Sequence, residues 1–230
     1  MKKEKRILVV GDTHLPWDFK DYLPFCERVY KEWELNTVVH SGDLVDAYGF
    51  SYYDNDPESI SLTEELSRSS ARIKEWAEVF PKMIITIGNH TKRCAKRLVG
   101  AKLPKRLWPS YNDIFGAPKT WKFVEEYKVG DVYFSHGEHG DARKICLINQ
   151  MNTSSCHAHT KMGIEFYSSR SGKIIWGMQN GTGIDHSAYV FDYSRHHRPV
   201  QMGVSVIIDN GKQPFLIPFD PKRWREQSIR

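Results

Sequence analysis

The fold is decided by the stretch Arg6-Ile7-Leu8-Val9-Val10-Gly11-Asp12-Thr13-His14, close to the start of a chain of 230 residues. Its apolar, largely β-branched residues are typical of a buried strand, and the glycine marks the turn that ends the strand. Asp12 and His14 come directly after it, two positions apart. Both side chains can point into the crevice at the carboxyl end of a sheet, where open α/β folds bind ligands.

The same arrangement recurs along the chain. Short strand-like runs are followed by Ser41-Gly42-Asp43-Leu44-Val45-Asp46, by Gly88-Asn89-His90, by Ser135-His136-Gly137 and by Cys156-His157-Ala158-His159. A lone Gly-Asp is usually a turn and a lone histidine is usually a packed residue, so it is the ordered set that points to chemistry. Carboxylates, one amide and several imidazoles at strand ends predict a binuclear metal centre. Such mixed oxygen and nitrogen ligands favour Mn, Fe or Zn over Mg or Ca.

Composition limits the class of protein but not its partner. Hydrophobic residues make up 40% of the chain and charged residues 27%, which is an ordinary globular balance, and the length fits a single domain over residues 1–230. A formal net charge of +5 agrees with an anionic substrate and excludes nothing. No segment approaches the ~20 apolar residues of a membrane span, and the apolar run near the start is too short for a secretory signal. We therefore expect a cytoplasmic protein without a membrane partner.

The four cysteines form no C-x-x-C pair and show no disulfide framework. Reduced thiols are the simplest interpretation. Because Cys156 adjoins two candidate ligands, a thiolate ligand stays open as an alternative.

Strand and helix patterns alternate, which predicts an α/β layered domain. Helices are predicted around Phe25, Val29 and Trp33, from the Asp56-Pro57-Glu58 cap to Phe80, and from Thr91 to Leu98, with an irregular insertion over residues 103–121. Later strands are predicted at Lys122–Val129, 131–134, 163–167, 173–178, 204–209 and 213–219, the last two joined by the hairpin signal Asn210-Gly211-Lys212. Helix-flanked strands first and a mostly antiparallel sheet later predict two packed sheets with helices outside.

The ordered clusters resemble the motifs of the calcineurin-like metallophosphoesterase superfamily, which read D-x-H, G-D-x-x-D, G-N-H-[D/E], a later His, and G-H-x-H. The resemblance covers roughly residues 7–160. It implies a four-layer αββα sandwich of two mixed β-sheets flanked by helices. The residues themselves indicate a basic and aromatic insertion at about residues 91–121. Thr91 stands where an acidic residue often follows G-N-H, and Cys156 replaces the glycine before H-x-H. Neither departure removes a ligand.

The resemblance also implies roles for the residues of the motifs. One metal ion would take Asp12, His14, Asp43 and His159, and the other would take Asp43, Asn89, His136 and His157. Asp43 would bridge two divalent cations, for which Mn is the first choice and Fe, Zn or Ni are alternatives. His90 would approach the leaving group of a phosphate ester and Asp46 would orient it, without His90 binding metal.

The substrate is less constrained by the residues. Lys92, Arg93 and Arg97 follow His90 and are candidates for binding flanking phosphates, although a basic run is often only a solvated helix face. Four aromatic residues in the insertion could stack on bases or form core: Trp108, Tyr111, Phe115 and Trp121. A phosphodiesterase or nuclease acting on DNA or RNA is the first hypothesis. The alternatives are a phosphomonoesterase or cyclic-nucleotide phosphodiesterase on small molecules, and a non-catalytic nucleic-acid-binding module.

Overall fold

The structure is a computed structural model that describes residues 4–51, 59–188 and 200–228. The strands are β1 Ile7–Val10, β2 Thr37–His40, β3 Ile84–Thr86, β4 Lys122–Val124, β5 Glu126–Val129, β6 Val132–Ser135, β7 Asn152–Ser155, β8 Gly163–Ser168, β9 Ile174–Gln179, β10 Gly203–Ile208 and β11 Gln213–Pro218. The helices are α1 Tyr22–Glu32, α2 Leu62–Val79, α3 Thr91–Gly100, α4 Tyr111–Phe115, α5 Ala142–Asn149 and α6 Pro221–Ser228.

The strands form two mixed sheets, which confirms the predicted fold class. The first sheet has the order β11-β10-β1-β2-β3-β4, in which β1 to β4 are parallel. The second has the order β5-β6-β7-β9-β8, with parallel β6, β7 and β9 between antiparallel edge strands. The expectation of a mostly antiparallel later sheet is therefore wrong. The hairpin of β10 and β11 pairs with β1 and so belongs to the first sheet.

The predicted strand over Lys122–Val129 divides at Glu125 into strands of different sheets. Phe123, before the break, packs against the core beneath the helices, whereas Tyr127 and Val129 pack between the sheets. A continuous strand could not serve both cores, because the chain has to cross from one layer to the next at this point.

Alternate side chains of β1 build two different cores, as the period of two in a strand requires. Leu8 and Val10 pack on the helix side of the first sheet, and Ile7 and Val9 pack against the second sheet. The buried side chains that meet them from the second sheet are Val132, Phe134, Trp176 and Met178. α5 lies against β7 and β9 of that sheet. The order of layers is thus helix, sheet, sheet, helix.

One helix boundary differs from the prediction, and one helix was not predicted. α2 begins at Leu62, and the Ser61 side chain caps it by accepting the N–H of Glu64. The predicted cap at Asp56-Pro57-Glu58 lies outside the described residues. The predicted irregular insertion contains α4, where Ser110 and Asp113 form a reciprocal capping box. Among the described residues, no helix combines the length and apolar character needed to cross a membrane.

The core between the sheets provides the first prediction. Phe134 is fully buried there, whereas Phe166 on β8 is 60% exposed. Phe134→Ala should lower the free energy of unfolding by about 3–5 kcal/mol, since it removes a buried ring and leaves a cavity. The matched control Phe166→Ala should change it by about 0.5 kcal/mol or less. Urea denaturation followed by tryptophan fluorescence measures both, and equal losses would contradict this division of the core.

Candidate metal centre

The parallel strands β1, β2 and β3 end at one edge of the first sheet, and β6 and β7 of the second sheet end beside it. All seven side chains that are predicted from the sequence to be metal ligands lie at this rim: Asp12, His14, Asp43, Asn89, His136, His157 and His159. Asp12 and Asp43 are almost completely buried, whereas His157 is exposed at the opening. The centre is therefore deep on one side and open to solvent on the other.

Asp43 lies in the middle of the cluster. Its Oδ1 accepts the backbone N–H groups of His90, at 2.9 Å, and Thr91, at 3.3 Å, where α3 begins. Its Oδ2 lies 3.1 Å from Nε2 of His136. Burial alone would raise the pKa of this carboxyl, but the imidazoles of His136 and His90 hold the pKa well below its usual range. Asp43 is thus a charged group whose orientation is fixed by the start of a helix.

Three side chains converge at Nε2 of His136. Besides Asp43, Oδ1 of Asn89 lies 2.9 Å away and Nδ1 of His157 lies 3.1 Å away. Nδ1 of His136 lies 3.1 Å from the carbonyl oxygen of Ser41. Burial disfavours a charged ring, but Asp43 and Asp12 outweigh it and raise the pKa of His136 to about 10. Such a concentration of donor atoms on one point is what a bound cation would organise.

A second group of donors forms around Asp12. Its Oδ2 lies 3.0 Å from Nε2 of His159 and accepts the backbone N–H of His157 at 3.1 Å. Asp12, His14 and His159 place one ligand atom each within 4.8 Å of one another, and so do His14, Asp43 and His90. Asp43 therefore connects the donors around Asp12 with those around His136.

Asp46 orients two histidines. Its Oδ1 lies 2.6 Å from Nδ1 of His14 and 2.9 Å from Nδ1 of His90. Burial opposes its charge, but His90 and His14 hold the pKa of Asp46 well below its usual range. A carboxylate behind a ligating imidazole fixes the ring and its tautomer. The contact with His14 was missed from the sequence, where Asp46 is assigned to His90 alone.

The three basic candidates that follow His90 have different surroundings. Nη2 of Arg93 lies 3.2 Å from Nε2 of His90, and its Nη1 donates to the carbonyl oxygen of Asp46 at 3.1 Å. Lys92 instead pairs with Glu138 and Glu125, at 3.1 and 3.3 Å. Only Arg93 of these two therefore touches the residues assigned to catalysis.

Arg97 holds the loop that follows Asp46. Its guanidinium donates to the carbonyl oxygens of Phe50, at 2.9 Å, and Ser51. Buried Glu65 of α2 supports the same loop, because its two carboxylate oxygens accept the backbone N–H groups of Tyr48 and Gly49. The loop carrying Asp46 is thus fixed from two helices.

Two glycines allow close contacts in the motif loops that a larger residue would prevent. A Cβ atom on Gly88 would lie 2.1 Å from Oδ1 of Asp43, and one on Gly42 would lie 2.4 Å from Nδ1 of His136. Asp43 and His157 themselves have positive φ, at 42° and 65°. Non-glycine residues rarely adopt this conformation, and each instance costs of order 1–3 kcal/mol. The fold tolerates that strain where the donor atoms converge.

A polar layer beneath the rim joins the two sheets, and Asn180 is its centre. This buried amide donates to Oγ of Ser41, Oγ of Ser154 and the carbonyl oxygen of Ser155, and it accepts the hydroxyl of Ser205 at 2.6 Å. In the sequence, Asn180 belongs to an Asn-Gly-Thr-Gly stretch that gives no indication of these contacts. Its four partners come from distant parts of the chain, so no local pattern could identify them.

Thr182 and His40 complete this support. The hydroxyl of Thr182 donates to the carbonyl oxygen of Asp12 at 2.7 Å. Nε2 of His40 lies 3.1 Å from Oγ1 of Thr13, and its Nδ1 accepts the N–H of Gly42. Burial lowers the pKa of His40 to about 4, so the ring is neutral at pH 7. His40 therefore holds two motif loops and takes no part in the donor groups around Asp12 and Asp43.

The residues present fit a pair of divalent cations. Oδ1 of Asp12 is buried and makes no hydrogen bond in the described part of the chain, although Nδ1 of His136 lies 3.5 Å away. A bound cation would satisfy this oxygen. Carboxylates, imidazoles and one amide oxygen are suitable donors for Mn, Fe or Zn. Cys156 does not belong to the donor groups within the described ranges: its Sγ accepts the N–H of Asp12, and burial raises its thiol pKa well above the usual value.

Comparisons with known proteins identify the family of this chain. The family model described as calcineurin-like phosphoesterase matches residues 5–189. The metallophosphoesterase from Sphaerobacter thermophilus is 15% identical, with 98% of this chain and 92% of that chain covered and a TM-score of 0.47. Vacuolar Protein Sorting 29 from Cryptosporidium parvum is 12% identical, with 94% and 98% covered and a TM-score of 0.47.

The nuclease MPE from Pseudomonas putida is 12% identical, with 93% of this chain and 87% of that chain covered and a TM-score of 0.41. The comparison with curated proteins gives no match. The assignment therefore depends on the family model, which spans most of the chain and confirms the resemblance seen in the motifs. The protein belongs to the calcineurin-like phosphoesterase family.

Proposed function

We propose that this protein is a metal-dependent phosphodiesterase that cleaves DNA or RNA. The observation that carries the proposal is the convergence of two donor groups on the Asp43 carboxylate, directly beside the His90, Asp46 and Arg93 contacts. Membership in the family supports phosphate-ester hydrolysis in general. The nucleic-acid substrate and the individual residue roles are the further steps of the proposal.

Seven side chains would hold the cations. We assign Asp12, His14, Asp43 and His159 to one ion, and Asp43, Asn89, His136 and His157 to the other. The chemistry that a pair of bound divalent cations would supply is neutralisation of charge on the phosphoryl oxygens and a lowered pKa for an attacking water molecule. Oδ1 of Asp43 accepts two backbone N–H groups, which fixes the carboxylate that would serve both ions.

His90 is assigned to the leaving group. Asp43 and Asp46 outweigh the effect of burial and raise the pKa of His90, which favours a ring that donates a proton or hydrogen bond to a departing oxygen. In the structure, Nε2 of His90 faces the guanidinium of Arg93. A phosphate oxygen arriving between them would satisfy both side chains, since a guanidinium binds phosphate through paired N–H donors. Arg93 is therefore assigned to the substrate phosphate, and Lys92 and Arg97 are assigned to support.

A polymeric substrate agrees with the shape and charge of the centre. The opening at His157 is exposed to solvent, so an internal phosphate of a chain can reach the rim. Helix α3 leads away from the centre and carries four basic residues and no acidic residue. Its field attracts a polyanion, an effect that is independent of base sequence.

A panel of phosphate esters tests the proposed reaction. Protein stripped by a chelator and resupplied with Mn, Fe(II), Zn or Ni should hydrolyse bis(p-nitrophenyl) phosphate and labelled oligonucleotides, and the chelated protein should hydrolyse neither. If p-nitrophenyl phosphate is hydrolysed faster than the diester and the oligonucleotides are not cleaved, the protein is better described as a phosphomonoesterase. Cleavage of cyclic nucleotides alone would favour a cyclic-nucleotide phosphodiesterase. The absence of turnover with every ester and metal would make the protein a binding module.

Removing the His90 imidazole should separate catalysis from metal binding. His90→Ala should reduce kcat for bis(p-nitrophenyl) phosphate by roughly 10²–10⁴-fold, the range of general acid catalysis, while elemental analysis still finds two ions per chain. The control is His139→Ala, because His139 is exposed and lies outside the donor groups of the described residues. Loss of one ion in His90→Ala would show that His90 is a ligand. The measurement is needed because His90 lies close enough to His14 and Asp43 to bind an ion with them.

A further inference from the structure

Positive charge is concentrated in one segment of the chain. Residues 91–122 contain nine lysines and arginines and one acidic residue, Asp113, whereas the whole chain has a formal net charge of only +5. The remainder of the protein is therefore slightly acidic. A charge asymmetry of this kind marks the face that meets a polyanion.

Part of this charge is not neutralised within the fold. Lys92 pairs with Glu138 and Glu125, and Lys119 pairs with Asp113. Other basic side chains of the segment are exposed and make no ion pair or hydrogen bond with any residue that the structure describes: Lys102, Lys105, Arg106 and Lys122. These four cations are available to an external partner.

A groove of about 700 Å³ lies between α3, the stretch that precedes α4, and the edge strand β4. Its lining is largely apolar and includes the rings of Trp108, Tyr111 and Phe123. Lys105 and Lys122 also belong to the lining. The groove therefore combines half-buried rings with two of the four available cations.

Trp108 is held in place by a hydrogen bond from its indole nitrogen. Its Nε1 donates to the carbonyl oxygen of Leu103 at 2.8 Å, while the ring is only partly buried. The neighbouring Tyr111 ring is fixed by Phe123, with centroids 5.5 Å apart. Rings that are already fixed lose little conformational entropy when a base stacks on them.

The groove is one to two helical turns from the metal centre. Ala95 and Leu98 of α3 line it, and α3 begins directly after His90. At 1.5 Å per residue, these positions are about 7–12 Å along the helix axis from His90. A chain with its scissile phosphate at the metals could thus place a neighbouring nucleotide in the groove.

We propose that this groove binds an unpaired base of single-stranded nucleic acid, whose phosphates lie along Lys102, Lys105, Arg106 and Lys122. The inference rests on the proposed phosphodiesterase function and names its substrate class. A duplex keeps its bases stacked inside, so it cannot place one in the groove without melting. Exposed Val99, Leu103 and Leu107 nearby could also meet an anionic membrane surface. A concave groove with half-buried rings fits a flat base better than it fits a lipid surface.

Binding in EDTA tests the groove without cleavage. Fluorescence anisotropy with a labelled single-stranded 12-mer and its duplex, titrated at several salt concentrations, should show preference for the single strand. Trp108→Ala should weaken single-strand binding by roughly 5- to 150-fold, and Trp108→Phe should restore most of the loss. Lys105→Ala/Lys122→Ala should lower the slope of log K against log salt by about 1.4, as expected for two lost phosphate contacts. Lys74→Ala/Lys173→Ala, which removes two exposed lysines elsewhere, is the matched control.

The outcomes separate the two proposals. Both groove variants should hydrolyse bis(p-nitrophenyl) phosphate at the rate of the unchanged protein, because this small diester does not reach the groove. Three results would overturn the groove proposal. Trp108→Ala could bind the oligonucleotide as well as the unchanged protein does, or the control lysine pair could lose as much affinity as the groove pair. The protein could also sediment with phosphatidylserine vesicles and fail to bind the oligonucleotide. Failure of the unchanged protein to cleave any diester would instead refute the phosphodiesterase function, while the binding data would still report on the groove.

Discussion

The Asp43 carboxylate is the group on which the rest of the rim depends. It is buried at the end of β2, it accepts the first backbone N–H groups of α3, and it touches His136 from the second sheet. A buried charge is costly unless hydrogen bonds and opposite charges surround it. Here the backbone supplies the hydrogen bonds and imidazoles supply the positive field, and a pair of cations would complete the compensation. The same side chain therefore holds β2, α3 and the second sheet together and also takes part in the chemistry proposed for the site.

The centre exists only because the two sheets are packed together. The first sheet contributes Asp12, His14, Asp43 and Asn89, and the second contributes His136, His157 and His159. Beneath them, Asn180 connects hydroxyls and carbonyls from both sheets, and further down the apolar core between the sheets excludes water. Rigid elements with satisfied polar supports hold ligands more accurately than loops alone. The strained backbone at Asp43 and His157 is therefore held by the packing around it.

Much of this could be predicted because the signals are local. Each ligand follows its strand within a few residues, and parallel strands end at a common edge, so position in the sequence implies position on the rim. Long-range partners could not be predicted in the same way. Lys92 pairs with Glu138, Arg97 holds the carbonyl of Phe50, and Asp46 supports His14 as well as His90. Helix α4 did have a local signal, the Ser110 and Asp113 capping box, and the surrounding prolines obscured it. The single-domain organisation, the ligand assignments and the cytoplasmic location stay predictions.

The central claim is that two cations share the Asp43 carboxylate at this rim. Anomalous X-ray diffraction from crystals grown with Mn tests it most directly, because it locates the ions independently of activity. We expect two anomalous peaks about 3.5–4 Å apart, both within coordination distance of Asp43, with Asp12, His14 and His159 around one and Asn89, His136 and His157 around the other. A single peak, or two peaks of which one does not touch Asp43, would contradict the account.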